Sequence, residues 1–404
     1  MTSTPPTRKP HTAHSMRTLF ATIFIASCAI STGATAQNDL EKTTSASAAK
    51  VEAPSQTNAK AKAKGKAKAK PKAKLAAKQR AKPTQGPAYA TRDDVMLAAA
   101  ALAQRANLDV AWVRKAIGQA HYVPAVARAI TPPPIGMPKN WTLYRSRFID
   151  AARTRAGVEF WQTNRAVLER AQQETGVPVE IIVGVIGVET IYGQQTGTYR
   201  VIDALCTLAF DFPDAHPRAK ERAAFFLAEL EAFLSLTQRT GTDPLALLGS
   251  YAGAMGLPQF MPSSWQKYAI DFDGDGRVDL FHSPADVIGS VANYFKAFGW
   301  QPGMPTHFAV QLNPATVDMP TLMAPDILPT FTAEVMASKG AEVDSAGRQH
   351  PGPLALVELQ NGAQPPLYVA GTRNFYTITR YNWSSYYAMA VIELGQAVAA
   401  AMPK

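Results

Sequence analysis

Residues 176–193 read GVPVEIIVGVIGVETIYG, and this stretch limits the fold more than any other. Pro178 suits the first position of a helix, because its missing N–H costs nothing there. Val179, Ile181, Ile182, Val183, Val185, Ile186 and Val188 then cover nearly every face. A helix that is apolar all round belongs inside a core. The β-branched run also suits a buried strand, but Pro178, the polar Glu180 and two interior glycines favour helix. At the far end stands one carboxylate, Glu189. An ionised, unpaired carboxylate in such a place is costly. Desolvation raises its pKa above the ordinary value of about 4.3, so it can hold a proton near neutral pH. A general acid needs that property. A glutamate that turns to solvent or pairs with an arginine is the other reading of the position.

The chain has 404 residues, enough for two or three domains. Residues 1–36 are read as a signal peptide. Arg8, Lys9 and Arg17 form a basic region, and the apolar run 19–29 is shorter than the roughly 20 residues of a membrane span. Ala34-Thr35-Ala36 fits a cleavage site, whereas Ile25-Ala26-Ser27-Cys28 resembles a lipobox that would leave a lipid on Cys28. Either exit takes the chain out of the cytoplasm, soluble or lipid-anchored. Loss or lipidation of Cys28 leaves Cys206 alone, so no intrachain disulfide is expected and core burial must hold the fold. Cys206 lies among apolar residues and reads as a small buried hydrophobe.

Residues 37–87 are low in complexity. Within 60–82, lysine alternates with alanine, and eleven residues are Lys or Arg, whereas the whole chain carries a net +10. Such a segment repels itself, has little to bury and reads as a disordered tether. Its charge signals contact with a polyanion or a solvated spacer.

Folded sequence starts near Ala88. Thr91 to Asp94 read as the cap of a helix to Gln104, and 109–119 as a second helix. A proline loop spans 130–138. Residues 143–174 read as helical with a break near Gly157, 196–203 as a polar link, and 218–239 as a long amphipathic helix. From 302 to 374, short alternating stretches such as 307–312 and 354–359 sit among Pro and Gly and mark a small β-rich region. A closing helix covers 386–402.

Between these lies GSYAGAMGLPQFMPSSW at 249–265, whose small residues let backbone pass close to another group. DFDGDGRVD follows at 271–279. Asp271, Asp273 and Asp275, the Gly at position six and the Arg277 carbonyl match the start of an EF-hand calcium loop. Position twelve is His282 rather than Glu, so Asp286 would have to close the site. An Asp/Gly turn without metal is the alternative.

Taken together, IIVGVIGVET, GSYAGAMGLPQFMPSSW, DFDGDG, GSVANYF at 289–295 and NFYTITRYN at 374–382 resemble the membrane-bound lytic transglycosylase B family over roughly 90–404. The resemblance implies a mainly α fold. A lysozyme-like helical core would occupy 157–300, an extra helical domain 88–156 with 376–404, and a small β-rich domain 301–375. It implies Glu189 as the single catalytic carboxylate, and Tyr144, Ser250, Gln259, Tyr294, Tyr381 and Asn382 as substrate contacts. It also implies structural Ca²⁺ on Asp271, Asp273, Asp275, Arg277 and Asp286. Leu257-Pro258 departs from the Tyr-Gly that often precedes the motif glutamine in the family.

The implied activity cleaves the MurNAc–GlcNAc bond of peptidoglycan strands in the periplasm and forms 1,6-anhydro-MurNAc ends. Two alternatives stand beside it: a hydrolytic muramidase, and a non-catalytic wall-binding protein. A monomer is expected, and nucleic acid is not an expected partner. For the tether, an anionic wall polymer or a membrane surface is. A chain starting near Ala88 should therefore lose salt-sensitive binding to whole walls yet keep its turnover of short fragments, since salt screens exposed charge. Equal wall binding and salt response in both forms would refute this.

Overall fold

A computed structural model describes residues 85–131 and 139–403. The signal segment, Cys28, nearly all of the tether and most of the proline loop lie outside the described residues. Within them, helices dominate from Asp93 to Ala297, a β-rich region occupies 307–371, and two helices close the chain. No helix among them is long and apolar enough to cross a membrane.

The stretch around Glu189 is a helix, Val179–Thr190, and every residue in it except Glu180 is buried. Pro178 takes the N-cap place rather than the first helical one. Its backbone is extended at φ −60° and ψ 145°, and its carbonyl accepts the Ile181 N–H at 3.0 Å. This central helix packs most closely on the closing helix, Ser385–Ala400. Glycine allows that approach. A Cβ on Gly184 would stand 2.2 Å from the Val391 carbonyl oxygen, and one on Gly395 would stand 2.1 Å from that of Glu180.

Gly157 does not break its helix. It lies inside Ala151–Thr163, where an added Cβ would meet the Tyr192 hydroxyl at 2.4 Å. The break falls at Asn164, which leads into Arg165–Thr175. Packing space, not turn formation, explains this glycine. Thr91 likewise does not cap a helix; it ends a short turn, and Arg92 precedes Asp93–Arg105 with no side-chain cap. The 196–203 link is also more ordered than its polarity suggested. The two-residue strand Tyr199–Arg200 pairs with Leu248–Gly249, and Val201 opens a buried helix to Phe210. Asp203 is buried there because Arg200 grips it at 2.7 Å and the His121 N–H donates to it.

The long helix is Ala219–Thr240, with Phe226, Leu230, Phe233 and Leu234 turned inward. In the β-rich region, four antiparallel strands lie in the order Ala341–Val343, His307–Leu312, Gln364–Gly371, Ala355–Asn361. Phe308, Leu322, Met336, Leu354 and Leu356 form a small core of their own there.

The glycine contact generates a prediction. Alanine is the better helix former by about 1 kcal/mol. Gly395→Ala should nevertheless destabilise the protein by about 1–3 kcal/mol, the usual cost of overpacking. Urea unfolding measures this; an unchanged midpoint would mean that the two helices can part freely.

Candidate active site

Glu189 is 5% exposed. Its Oε1 accepts a hydrogen bond from the Tyr387 hydroxyl at 2.6 Å, and its Oε2 has no partner. Among the described residues it makes no ion pair, so neither solvent nor an arginine neutralises it. Burial raises its pKa to about 8, against the opposing pull of the Tyr387 bond. A protonated carboxyl with one oxygen held and the other unpartnered is the result at neutral pH.

The backbone just beyond Glu189 is unusual. Ile191, Tyr192 and Gly193 all take positive φ, at 53°, 53° and 89°. A β-branched residue in that region is a true outlier. Thr190 holds the turn, because its Oγ1 accepts the Gly193 N–H and donates to the Leu257 carbonyl at 2.9 Å. The helix end that bears the acid is thereby tied to the 249–261 loop.

That loop folds on itself. Ser250 Oγ accepts the N–H groups of Ala252 and Ala254, and Met255 pairs with Phe260 through the backbone. Gln259, like Ile191 and Tyr192, is a non-glycine residue at positive φ, 52°. Its amide nitrogen donates to the Thr196 and Gly256 carbonyls at 3.1 and 2.8 Å. These bonds do not use its side-chain carbonyl. At the departure from the family pattern, Leu257 and Pro258 act through backbone oxygens: Pro258 accepts the Tyr381 hydroxyl at 2.5 Å. Any residue offers such an oxygen, so these two bonds do not depend on which side chains stand there.

Tyrosines surround the acid. Burial and then the Glu189 charge push the Tyr144 and Tyr381 hydroxyls above their ordinary range, and Tyr387 follows the same order of causes. Tyr381 and Tyr387 stack at 6.3 Å and 12°. Tyr144 packs on Phe148 at 5.0 Å and on Tyr386 at 5.6 Å. Tyr294 is nearly buried; its ring lies 4.9 Å from Tyr381 and its hydroxyl donates to the Arg380 carbonyl. That bond braces the 374–382 segment. Asn382, beside Tyr381, keeps a buried Oδ1 without a partner. The structure thus gathers Glu189, Tyr144, Tyr381 and Tyr387, with Tyr294 packed on Tyr381. Ser250, Gln259 and Asn382 make no direct hydrogen bond to Glu189 among the described residues. Tyr387 was missed by sequence reasoning because, in the first turn of an apolar helix, it looks like core.

A second cluster lies in the Asp-rich loop. Carboxylate oxygens of Asp271, Asp273 and Asp286 come within 4.8 Å of one another. Asp286 is buried and accepts the Phe272 and Asp279 N–H groups at 2.8 and 2.7 Å. Asp271 accepts those of Gly274 and Gly276, which wraps the loop around it. Asp275 stands outside the cluster, and its carboxylate takes the Arg277 N–H. Hard oxygen donors of this kind fit a calcium ion. Cys206 is fully buried, and burial pushes its thiol up.

The family model described as Transglycosylase SLT domain matches residues 90–396. Membrane-bound lytic murein transglycosylase B of Escherichia coli is 45% identical over 270 residues, which cover 67% of this chain and 70% of that protein. A solved E. coli lytic transglycosylase in complex with calcium aligns with a TM-score of 0.66 and 38% identity, over 78% of this chain and 96% of its own. A Pseudomonas aeruginosa relative in complex with NAG-anhNAM-pentapeptide aligns with a TM-score of 0.59 and 29% identity, over 74% and 78%. On these matches, and on the buried acid with its tyrosine ring, the chain belongs to the family of the transglycosylase SLT domain.

Proposed function

We propose that this chain is a peptidoglycan lytic transglycosylase in which Glu189 alone serves first as acid and then as base. Its membership of the family makes it an enzyme of peptidoglycan; the single-acid route and its product are the finer reading. One observation carries that reading. Of the four buried acids among the described residues, Asp203, Glu229 and Asp286 have both carboxylate oxygens engaged by N–H or O–H donors. Only Glu189 keeps an oxygen without a partner.

Ordinary glycosidases use two carboxylates. Here the substrate supplies the second function. Glu189 gives its proton to the oxygen between MurNAc and GlcNAc as the C1–O bond breaks. The MurNAc acetamido oxygen supports the positive charge at C1. Glu189, now a carboxylate, takes the proton of the C6 hydroxyl, and O6 bonds to C1. The 1,6-anhydro ring forms and no water is consumed. Ser250 and Asn382 hold the acetamido group in this reading, and the tyrosines offer ring faces to the sugars. The relative seen with an anhydro sugar agrees with such a product. That ligand also bears a peptide, so the strand this chain takes brings stem peptides with it. Export to the periplasm, free or through a lipid on Cys28, belongs to the same reading; the E. coli relative is membrane-bound.

Glu189→Gln should abolish anhydro ends in digested walls, as read by mass spectrometry; reducing ends from the wild type would favour hydrolysis. Wild-type activity should fall as pH rises through about 8, where the acid loses its proton. Tyr387→Phe should move that limb higher, since the Tyr387 bond lowers the pKa. Stability carries the same signature. The folded pKa of Glu189 is raised, so its contribution is present below about 4.3 and is lost by about pH 8. The melting temperature of Glu189→Gln relative to wild type should therefore climb between pH 4 and pH 8; a flat difference would deny the raised pKa.

Calcium, bound by Asp271, Asp273 and Asp286, would be structural in this reading, because the loop joins the helices Pro262–Tyr268 and Pro284–Ala297. Bound to the native state alone, it would add about 2.7 kcal/mol at one hundred times its dissociation constant. A chelator should lower the melting temperature and added Ca²⁺ should restore it, with activity at low temperature little changed. Asp273→Ala should copy the chelator. A melting curve that ignores both would leave only an Asp/Gly turn.

A further inference from the structure

A cavity of about 130 Å³ lies where the β-rich region meets the closing helix. Lys139, Asp326, Glu358, Ser385 and Tyr386 line it, with Leu356 among its apolar members. An apolar cavity of about 150 Å³ holds benzene, so this space takes about six heavy atoms.

Its charged groups, Lys139, Asp326 and Glu358, have no oppositely charged partner among the described residues. Glu358 accepts only from neutral donors, the Tyr368 hydroxyl at 2.8 Å and the Gln360 amide at 3.1 Å. The Lys139 ammonium stands 5.9 Å from the centre of the Tyr386 ring. Asp326 is fixed in a left-handed turn at φ 55°, which Asp tolerates. Two acids disfavour a lone anion, and Lys139 disfavours a lone metal ion. A group that carries an ammonium and a carboxylate on one carbon satisfies both signs. Such a head, with its next carbon, has six heavy atoms.

Position favours the same occupant. Tyr386 donates from its hydroxyl to the Gln360 carbonyl at 2.8 Å and packs edge-on against Tyr144. The next residue, Tyr387, donates to Glu189. The cavity and the acid are thus served by two consecutive residues of the closing helix.

We propose that this cavity binds the free zwitterionic end of a diamino-acid residue in an uncross-linked stem peptide, a proposal that rests on the peptidoglycan reading above. The test compares turnover of peptide-bearing glycan strands with strands stripped of peptide by an amidase, for wild type, Lys139→Met and Glu358→Gln. Wild type should prefer the peptide-bearing strand. Each variant should lose about three- to tenfold of that preference through KM, with kcat unchanged. Acetylation of the free stem amine should cost wild type the same. Lys139 is exposed, so Lys139→Met keeps the test alive if Glu358→Gln folds poorly. Equal effects on both strands, or an indifferent wild type, would overturn the proposal. Absence of anhydro ends from every substrate would instead remove the activity reading. Calorimetric binding of a soluble peptide-bearing disaccharide then decides the cavity: affinity lost in both variants supports it, and unchanged affinity ends it.

Discussion

The close crossing of the central and closing helices is the contact on which the rest of the structure depends. Gly184 and Gly395 each face a backbone carbonyl of the opposite helix, with no room for a methyl group. At that distance the first turn of the closing helix delivers Tyr387 to Glu189. Wider spacing would leave the carboxyl without its one donor. The acid and its partner are 198 residues apart in sequence, so the crossing alone makes them neighbours.

The site is a place where stability is given up. A buried carboxyl with an unpartnered oxygen is unfavourable. Left-handed backbone at Ile191 and Gln259 adds strain of about 1–3 kcal/mol at each. Surrounding order holds these features in place. Thr190 bonds in two directions, the Gln259 amide clamps two carbonyls, and Tyr381 and Tyr294 spend their hydroxyls on backbone oxygens. Much of what surrounds the acid is therefore bracing, which keeps it neutral and oriented.

Legibility differed from residue to residue. The central helix announced itself because seven branched apolar side chains on every face suit only a core. Strand 307–312 was legible from its alternation, and the long helix from the spacing of its aromatic and leucine residues. Gly157 misled because a glycine is open to two uses: it can end a helix or clear space for a neighbour, and here the distant Tyr192 and Val398 decide which. The helix Val201–Phe210 was obscured by the polar residues before it and by Asp203 inside it, whose charge is satisfied by Arg200 and by the distant His121 N–H. Of the five residues expected at the metal loop, three carboxylates converge, while Asp275 accepts the backbone N–H of Arg277.

The sequence by itself determined that a carboxyl would end a buried helix, because burial of that helix follows from local apolar density; that the carboxyl turns inward without an ion pair, and so has a raised pKa, was decided by the fold. The sequence also determined the oxygen-rich character of the Asp-rich loop, since Asp and Gly at alternating positions act within a few residues. Tertiary structure alone decided that Tyr387 holds the acid, that Tyr294 serves as a brace, and that Lys139, Asp326 and Glu358 share one cavity. These depend on segments far apart in the chain, whose meeting is set by packing distances of a few ångströms that no local pattern encodes.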